Sequence, residues 1–464
     1  MEEVLKKEKN LTEGSLWNKI LIFAIPLALS SMLQQLFNSA DVAVVGRFAD
    51  KNALAAVGSN GPIINLMVNL FVGLSVGANV VISRYIGQQD HKQIEKAVHT
   101  SILLAIVSGL FLAVLGLFIS RPMLQFMKSP SETIDLATTY LKIYFLGMPF
   151  EMLYNFSSAI LRSKGDTKRP LISLLISGVI NVALNFVFVL GLKMSVSGVA
   201  IATVISEIVS SSLLLYFLTH EKGYLKLDLK KLAIDGRILK EIARIGIPSG
   251  LQGMVFSISN ISIQSEINDL GSVIMSASAV ALNFEIFVYY LLNAFGQASV
   301  TFTGQNYGAC KLDRCKKSVM LCMLLGGLAT IVMSSLVLIF ANPLSSLYST
   351  DTEVIKLAVI RMKWIISFEL VNLAIEVFSG SLRGYGYSLV PAMISIFGIC
   401  GFRILWVNTI YKSNPTFERL LMAYPISWLI TATFIVASYF IVKEHIKKEV
   451  QDELSHREIE LSNR

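Results

Sequence analysis

Twelve long runs of apolar residues, separated by short polar connectors, constrain this chain more than any other feature. A bilayer core about 30 Å thick needs about 20 apolar residues in a helix. The runs fall at 17–45, 54–83, 97–120, 134–161, 170–191, 196–218, 240–266, 273–303, 318–341, 354–381, 390–411 and 418–442. Inside a bilayer a backbone can satisfy its own polar groups as a helix. The fold class expected is therefore an all-α polytopic membrane protein with twelve transmembrane helices. Only 16% of the 464 residues are charged and 54% are hydrophobic. Average soluble domains carry about 25% charge, so the surfaces of three soluble domains could not be covered. Disorder is excluded too, since it requires low hydrophobicity. The first sixteen residues are mostly polar and the run after them is long, so it reads as a retained span, not a cleaved signal.

The net charge is +8. In a soluble protein that excess could point to nucleic acid, but no basic groove interleaved with aromatics is visible. In a membrane protein it marks the side on which basic loops are retained. With the N-terminus inside, 28 Lys and Arg fall on inner segments and 7 on outer loops. Both termini are therefore expected in the cytoplasm.

The chain also repeats itself. Leu161-Arg162-x-x-Gly165, followed by Pro170, recurs as Leu382-Arg383-x-x-Gly386, followed by Pro391, at an offset of 221. Gly87 matches Gly308 at the same offset, and Ile25-Pro26 matches Ile247-Pro248 at 222. Six helices per repeat is an even number, so the two lobes share one orientation and form a pseudo-two-fold parallel repeat, a recurrent transporter architecture. The boundaries expected are an N-terminal lobe at 1–218, a cytoplasmic linker at 219–239, a C-terminal lobe at 240–442 and a charged tail at 443–464. Pro26 and Pro248 remove a helical hydrogen bond at matching places, and each reads equally as a hinge or a static kink.

Polar side chains within a span are costly and are functional candidates. Gln34, Asn38 and Asp41 lie at i, i+4 and i+7, on one face of helix 1. Helix 2 carries Asn65 and Asn69, helix 5 Asn181 and Asn185, and helix 6 Thr203 and Glu207. These stripes are expected to converge on Asp41, whose carboxylate could take up and release protons. In the second half, Glu285, Tyr289, Asn293 and Gln297 are spaced by four on helix 8. Helix 10 carries Glu369, Asn372 and Glu376, and helix 7 carries Asn260 and Gln264, with Glu266 near its end. Glu151 and Asn155 of helix 4 match Asn372 and Glu376 at the 221 offset. Together these suggest a wet cavity able to neutralise cations. Glu266 and Glu369 read equally as interfacial, and Arg403 should pair with an acid or sit at the interface.

Soluble chemistry is not evident. No P-loop and no HExxH occurs. Cys310, Cys315, Cys322 and Cys400 read as small apolar fillers, and His91, His99 and His220 as solvated residues.

Gln34-Gln35-Leu36-Phe37-Asn38, Asp41 and Val45-Gly46-Arg47 resemble the first helix of the MATE (multidrug and toxic compound extrusion) transporters. The LRxxG loops, Arg84-Tyr85-Ile86-Gly87 and Gln305-Asn306-Tyr307-Gly308 fit the same family, nearest its prokaryotic DinF-like branch. The resemblance covers roughly 15–445. It implies two six-helix lobes in a V around a central cavity, and cation-driven export of mostly cationic organic compounds. It assigns coupling to Asp41, Asn181, Asn185 and Thr203, where Asn185 replaces an acid often found in the family. The substrate cavity expected comprises Gln34, Asn38, Asn65, Asn69, Asn155, Asn260, Glu285, Tyr289, Asn293, Gln297 and Glu376. The coupling ion would be H⁺ or Na⁺, with sodium near Asp41 or Glu376, and no other cofactor is expected. The partners expected are small organic cations or drugs and the lipid bilayer, without nucleic acid or an obligatory protein partner, for a monomer that is no enzyme. The rival reading is a lipid-linked saccharide flippase of the same superfamily, which would need a more cationic cavity.

Overall fold

The structure is a computed structural model describing residues 11–48, 51–127 and 129–462, with side chains at all of these except 51, 59 and those beyond 448. The basic residues counted at 1–10, Lys128 and Arg464 lie outside the described residues. The helices are α1 (Leu16–Phe48), α2 (Lys51–Gln88), α3 (His91–Phe126), α4 (Ile134–Ser163), α5 (Lys168–Gly191), α6 (Ser195–Thr219) and α7 (Gly236–Asp269). They continue as α8 (Ser272–Gly308), α9 (Leu312–Ile339), the broken pair α10a (Thr352–Ile366) and α10b (Glu369–Gly384), α11 (Leu389–Tyr411) and α12 (Phe417–Ser462). Among the described residues nine helices are long and apolar enough to cross a membrane. The α10 pair, bent by 41°, passes the same test as one span. α4 and α7 are as long as the others but carry more polar residues. On α3, Val107, Leu110, Phe111, Val114 and Phe118 are exposed. A continuous apolar face of this kind is at home in lipid, not in water. The chain is a multi-pass membrane protein.

Several helices differ from the spans read off the sequence. α10 is interrupted at Ser367 and Phe368, where one run at 354–381 was expected. The restart puts Glu369 in the first turn of α10b, where the helix dipole favours an acid. α7 begins at Gly236, so the linker is shorter than expected, because Asp235 caps it. The Asp235 carboxylate accepts from the amides of Arg237 (3.0 Å) and Ile238 (3.3 Å), satisfying donors that a helix start leaves bare. α5 and α11 are not uniform α-helices. A π-helical stretch, Phe186–Gly191, follows Asn185 directly, and α11 contains two, at Ile396–Gly401 and Val407–Tyr411.

The repeated LRxxG string has a structural cause. At the end of α4 the Gly165 amide donates to Arg162 O (2.8 Å) and the Asp166 amide to Leu161 O (3.0 Å). After α10b the Gly386 amide donates to Arg383 O (2.8 Å) and the Tyr387 amide to Leu382 O (2.9 Å). Both are Schellman caps. Gly165 and Gly386 adopt φ +91° and +87°, a region closed to most residues with a Cβ.

By contacts the chain forms two compact units. One comprises Ile25–Ile86 and Asp90–Ile258; the other comprises the described residues up to Ala24, Gly87–Gln89 and the chain from Ser259 onward. In the first, α3 packs on α4, and α6 packs on α4 and α5. In the second, α8 packs on α9, α10a and α10b, and α12 packs on α10b. His99 is buried, not solvated as expected. Its Nδ1 faces Glu95 O at 2.6 Å and its Nε2 lies 3.1 Å from the Asp228 amide, tying the linker to α3. Cys315, Cys322 and Cys400 are buried, and Cys310 is exposed.

Candidate functional site

The face of α1 that carries Gln34, Asn38 and Asp41 turns into the first unit, as i, i+4, i+7 spacing requires. It meets α4, α5 and α6 around a cavity of about 100 Å³. Asp41 is buried. Its Oδ1 accepts from Asn185 Nδ2 at 2.5 Å and its Oδ2 from Thr203 Oγ1 at 3.1 Å. Asn181 also bonds to it, and Asn181 Oδ1 accepts from Asn185 Nδ2 at 3.2 Å. Two helices, α5 and α6, thus supply three donors to one carboxylate on α1, an arrangement that suits its charged form. The π-helical stretch begins at the residue after Asn185, and such stretches recur where a helix carries a functional side chain.

The cavity wall contains two further acids, Glu151 and Glu207, together with Tyr144, Tyr154, Ser177 and Ser206. Among the described residues no Lys or Arg lines it. Glu207 stands one turn beyond Thr203 and Glu151 one turn before Asn155, so the spacing already held both, though neither was singled out as a site residue. Among the described residues no three His, Cys, Asp or Glu side chains converge to hold a metal ion.

The other residues lie elsewhere. Asn69 donates to Ser257 Oγ (3.0 Å) and Gly253 O (3.3 Å), stitching α2 to α7. Asn65 and Asn260 are exposed. Asn155 donates to Glu151 O of its own helix. None of these lines the Asp41 cavity, so helix 2 does not join the convergence expected of it. In the second unit Glu285 is held by Arg361, with Nε–Oε1 at 2.9 Å and Nη2–Oε2 at 3.0 Å, both side chains buried. Asn293 donates to Glu376 Oε2 at 3.2 Å, and Tyr289 bonds to the same carboxylate; Gln297 follows one turn on along α8. Asn372 donates to the buried Glu369 at 2.9 Å. Arg403, expected at an acid or at the interface, is buried and feels the charge of Glu369 without forming an ion pair among the described residues. Its guanidinium lies 4.2 Å from the Tyr424 ring centre and 6.0 Å from that of Trp428, and its Nε donates to Ser427 Oγ. Pro26 and Pro248 lie inside α1 and α7.

The repeat makes the two units comparable position by position. Asp41 corresponds to Ile263 at 222, and Asn181, Asn185, Thr203 and Glu207 to Phe402, Trp406, Tyr424 and Trp428 at 221. The last pairs are anchored by Ala202-x-x-Ile205-Ser206 and Ala423-x-x-Ile426-Ser427. Ile263 and Trp406 belong to one apolar cluster, with Phe402 and Tyr424 packed against it. The second unit therefore holds a hydrophobic core where the first holds a polar site.

Comparisons with known proteins agree with this architecture. Over 462 residues the chain is 29% identical to the Probable multidrug resistance protein YoeA of Bacillus subtilis, covering 97% of this chain and 99% of that protein. It is 22% identical to the multidrug export protein MepA of Staphylococcus haemolyticus, covering 89% and 94%. A crystal structure of MATE in the bent conformation superposes with a TM-score of 0.88 at 21% identity, over 96% of this chain and 99% of that one. The MatE family profile matches twice, at 26–187 and 248–407. The matches open on Pro26 and Pro248, one in each repeat, and by them the chain belongs to the MatE family.

Proposed function

We propose that this protein is a secondary transporter, not an enzyme, that exchanges H⁺ or Na⁺ for amphipathic, mostly cationic organic compounds by alternating access. The observation that carries this reading is Asp41, a carboxylate buried in a membrane helix, held by Asn181, Asn185 and Thr203 at the wall of a small cavity. A cation arriving at Asp41 competes with those donors. If the cation is a proton, the carboxyl must also donate a hydrogen bond. Asn185 Oδ1, buried and without a partner, becomes an acceptor for it if the amide turns over. That rearrangement is the event that would bias a hinge at Pro26.

Drug-sized ligands need about 300–1,000 Å³, so a cavity of about 100 Å³ suits a small cation with its water. Drug and coupling ion would then occupy the protein in different states, as alternating access requires. The names of YoeA and MepA support drugs as substrates. The acids on the cavity wall favour cationic compounds, whereas a phosphate-bearing lipid-linked saccharide would call for Lys or Arg there. The protein would act as a monomer in the bacterial cell membrane with both termini cytoplasmic, as its basic loops indicate.

The test is dye export from proteoliposomes driven by ΔpH alone or by a sodium gradient alone. Export should follow one of them, and Asp41→Asn should abolish it. Undiminished export by Asp41→Asn would refute the assignment.

A further inference from the structure

Two carboxylates on the wall of the Asp41 cavity, Glu207 and Glu151, enter the reading above only through their charge and have no assigned role in ion coupling. Glu207 Oε2 is sealed from solvent and has no hydrogen-bond partner. Its seat is made by Gly147 of α4, where a Cβ would come within 2.7 Å of that oxygen. Only the missing side chain lets the carboxylate press so close to the α4 backbone. One turn further along α4, Glu151 meets the Tyr144 hydroxyl at 3.4 Å.

The groups facing Glu207 leave it uncompensated. α1 presents Asp41, and α4 presents Tyr140, Tyr144, Tyr154 and Glu151. α5 contributes no charged group to the lining, and among the described residues no Lys or Arg lines the cavity. A carboxylate with one oxygen sealed from water and other acids around it is unfavourable unless a positive charge joins it. Space limits that charge to something small, and the lack of a three-ligand cluster disfavours a multivalent metal. In the second unit the equivalents of Glu207 and Glu151 are Trp428 and Asn372, so the arrangement belongs to the first unit alone.

We propose that Glu207, backed by Glu151, is a second cation-loading post in this cavity, taking one proton or one sodium ion per cycle in addition to the one at Asp41. The proposal rests on the transport reading of the same cavity. It predicts two cations per cycle where Asp41 alone gives one.

The experiment counts cations on the purified full-length protein. In one arm, proton uptake is measured with a pH dye on a jump from alkaline to acidic, in sodium-free buffer. In the other, ²²Na⁺ binding is measured at fixed alkaline pH. In one of the arms wild type should bind one more cation than Glu207→Gln, and Asp41→Asn should also lose one. Equal counts for wild type and Glu207→Gln in both arms would overturn the proposal. Glu151→Gln should keep the count but bind its second cation more weakly, since a neighbouring negative charge is gone. If Glu207→Gln does not fold, that weakening decides the question, and an unmoved midpoint overturns the proposal. Failure of the Asp41 reading looks different: Asp41→Asn would keep both its cation and its transport, whatever Glu207→Gln does.

Discussion

Removing one partner of the Glu285–Arg361 pair should destabilise the second unit far more than removing both. The pair is bidentate, at 2.9 and 3.0 Å, with side chains only 7% and 5% exposed. Unit charges at such range attract by about 4 kcal/mol at an effective dielectric of 20. That gain is largely offset by the desolvation of both ions. The pair is then close to neutral against a packed apolar pair, but either half alone is an uncompensated buried charge, worth about 3–5 kcal/mol of lost stability. The two single losses should be unequal. Glu285→Gln leaves a guanidinium that cannot shed its proton, whereas Arg361→Met leaves a carboxylate that can take one up. Glu285→Gln should therefore fall at the upper end and Arg361→Met at the lower. The Glu285→Met/Arg361→Met double variant should recover at least half of the Glu285→Gln loss. The assay is thermal unfolding in detergent at one scan rate, arranged as a double-mutant cycle. A Glu285→Gln loss below about 1 kcal/mol would refute the reasoning. So would a double variant whose loss equals the sum of its singles.

Three further outcomes are expected. Thr203→Val removes the hydroxyl donor to Asp41 Oδ2 and should lower export severalfold at unchanged expression, with Thr203→Ser restoring it; equal rates for all three proteins would deny Thr203 a part. Glu221 follows α6 and binds Lys164 (2.7 Å) and Arg169. Burial pushes its carboxyl up, but these two cations outweigh that and hold it below the usual 4.5. A depressed carboxyl stabilises the fold above that value and loses its contribution as pH falls below it. Glu221→Gln should thus cost about 1–2 kcal/mol at pH 7 and little in acid, and a penalty independent of pH would contradict the clamp. Cys310 is the exposed thiol of the four and follows α8, on the side assigned to the cytoplasm. A membrane-impermeant maleimide should label it in inside-out vesicles and not in right-side-out ones; the reverse pattern would invert the topology.

The sequence disclosed most where chemistry and helical period coincide. Gln34, Asn38 and Asp41 share a face by spacing alone, and only a cavity or a partner can receive such a face in lipid. Asn181, Asn185 and Thr203 could be joined to them because each carried the same cue on a neighbouring span. Asn65 and Asn69 carried that cue as well, yet Asn69 serves to hold α7. Period shows that a face is polar and not which neighbour it meets. Glu285 looked like a cavity acid because its partner Arg361 is 76 residues away and no local pattern links them. The break before Glu369 and the π-helical stretches were invisible because hydrophobic periodicity tolerates a slip of one residue. Arg403 was expected beside an acid or at the interface because ring stacking on Tyr424 and Trp428 has no signature in spacing.

Gly165 and Gly386 close their helices with the same two hydrogen bonds, although Asp41 and its neighbours have become Ile263, Phe402, Trp406 and Tyr424 in the other half. The residues that shape the backbone are thus separate from those that carry charge. After duplication, one copy could lose its polar chemistry without a cost to its folding. The same independence offers an engineering route. A polar quartet transplanted into the second half would meet a main chain already bent to receive it, provided that Arg403, the guanidinium stacked there, is removed in the same step.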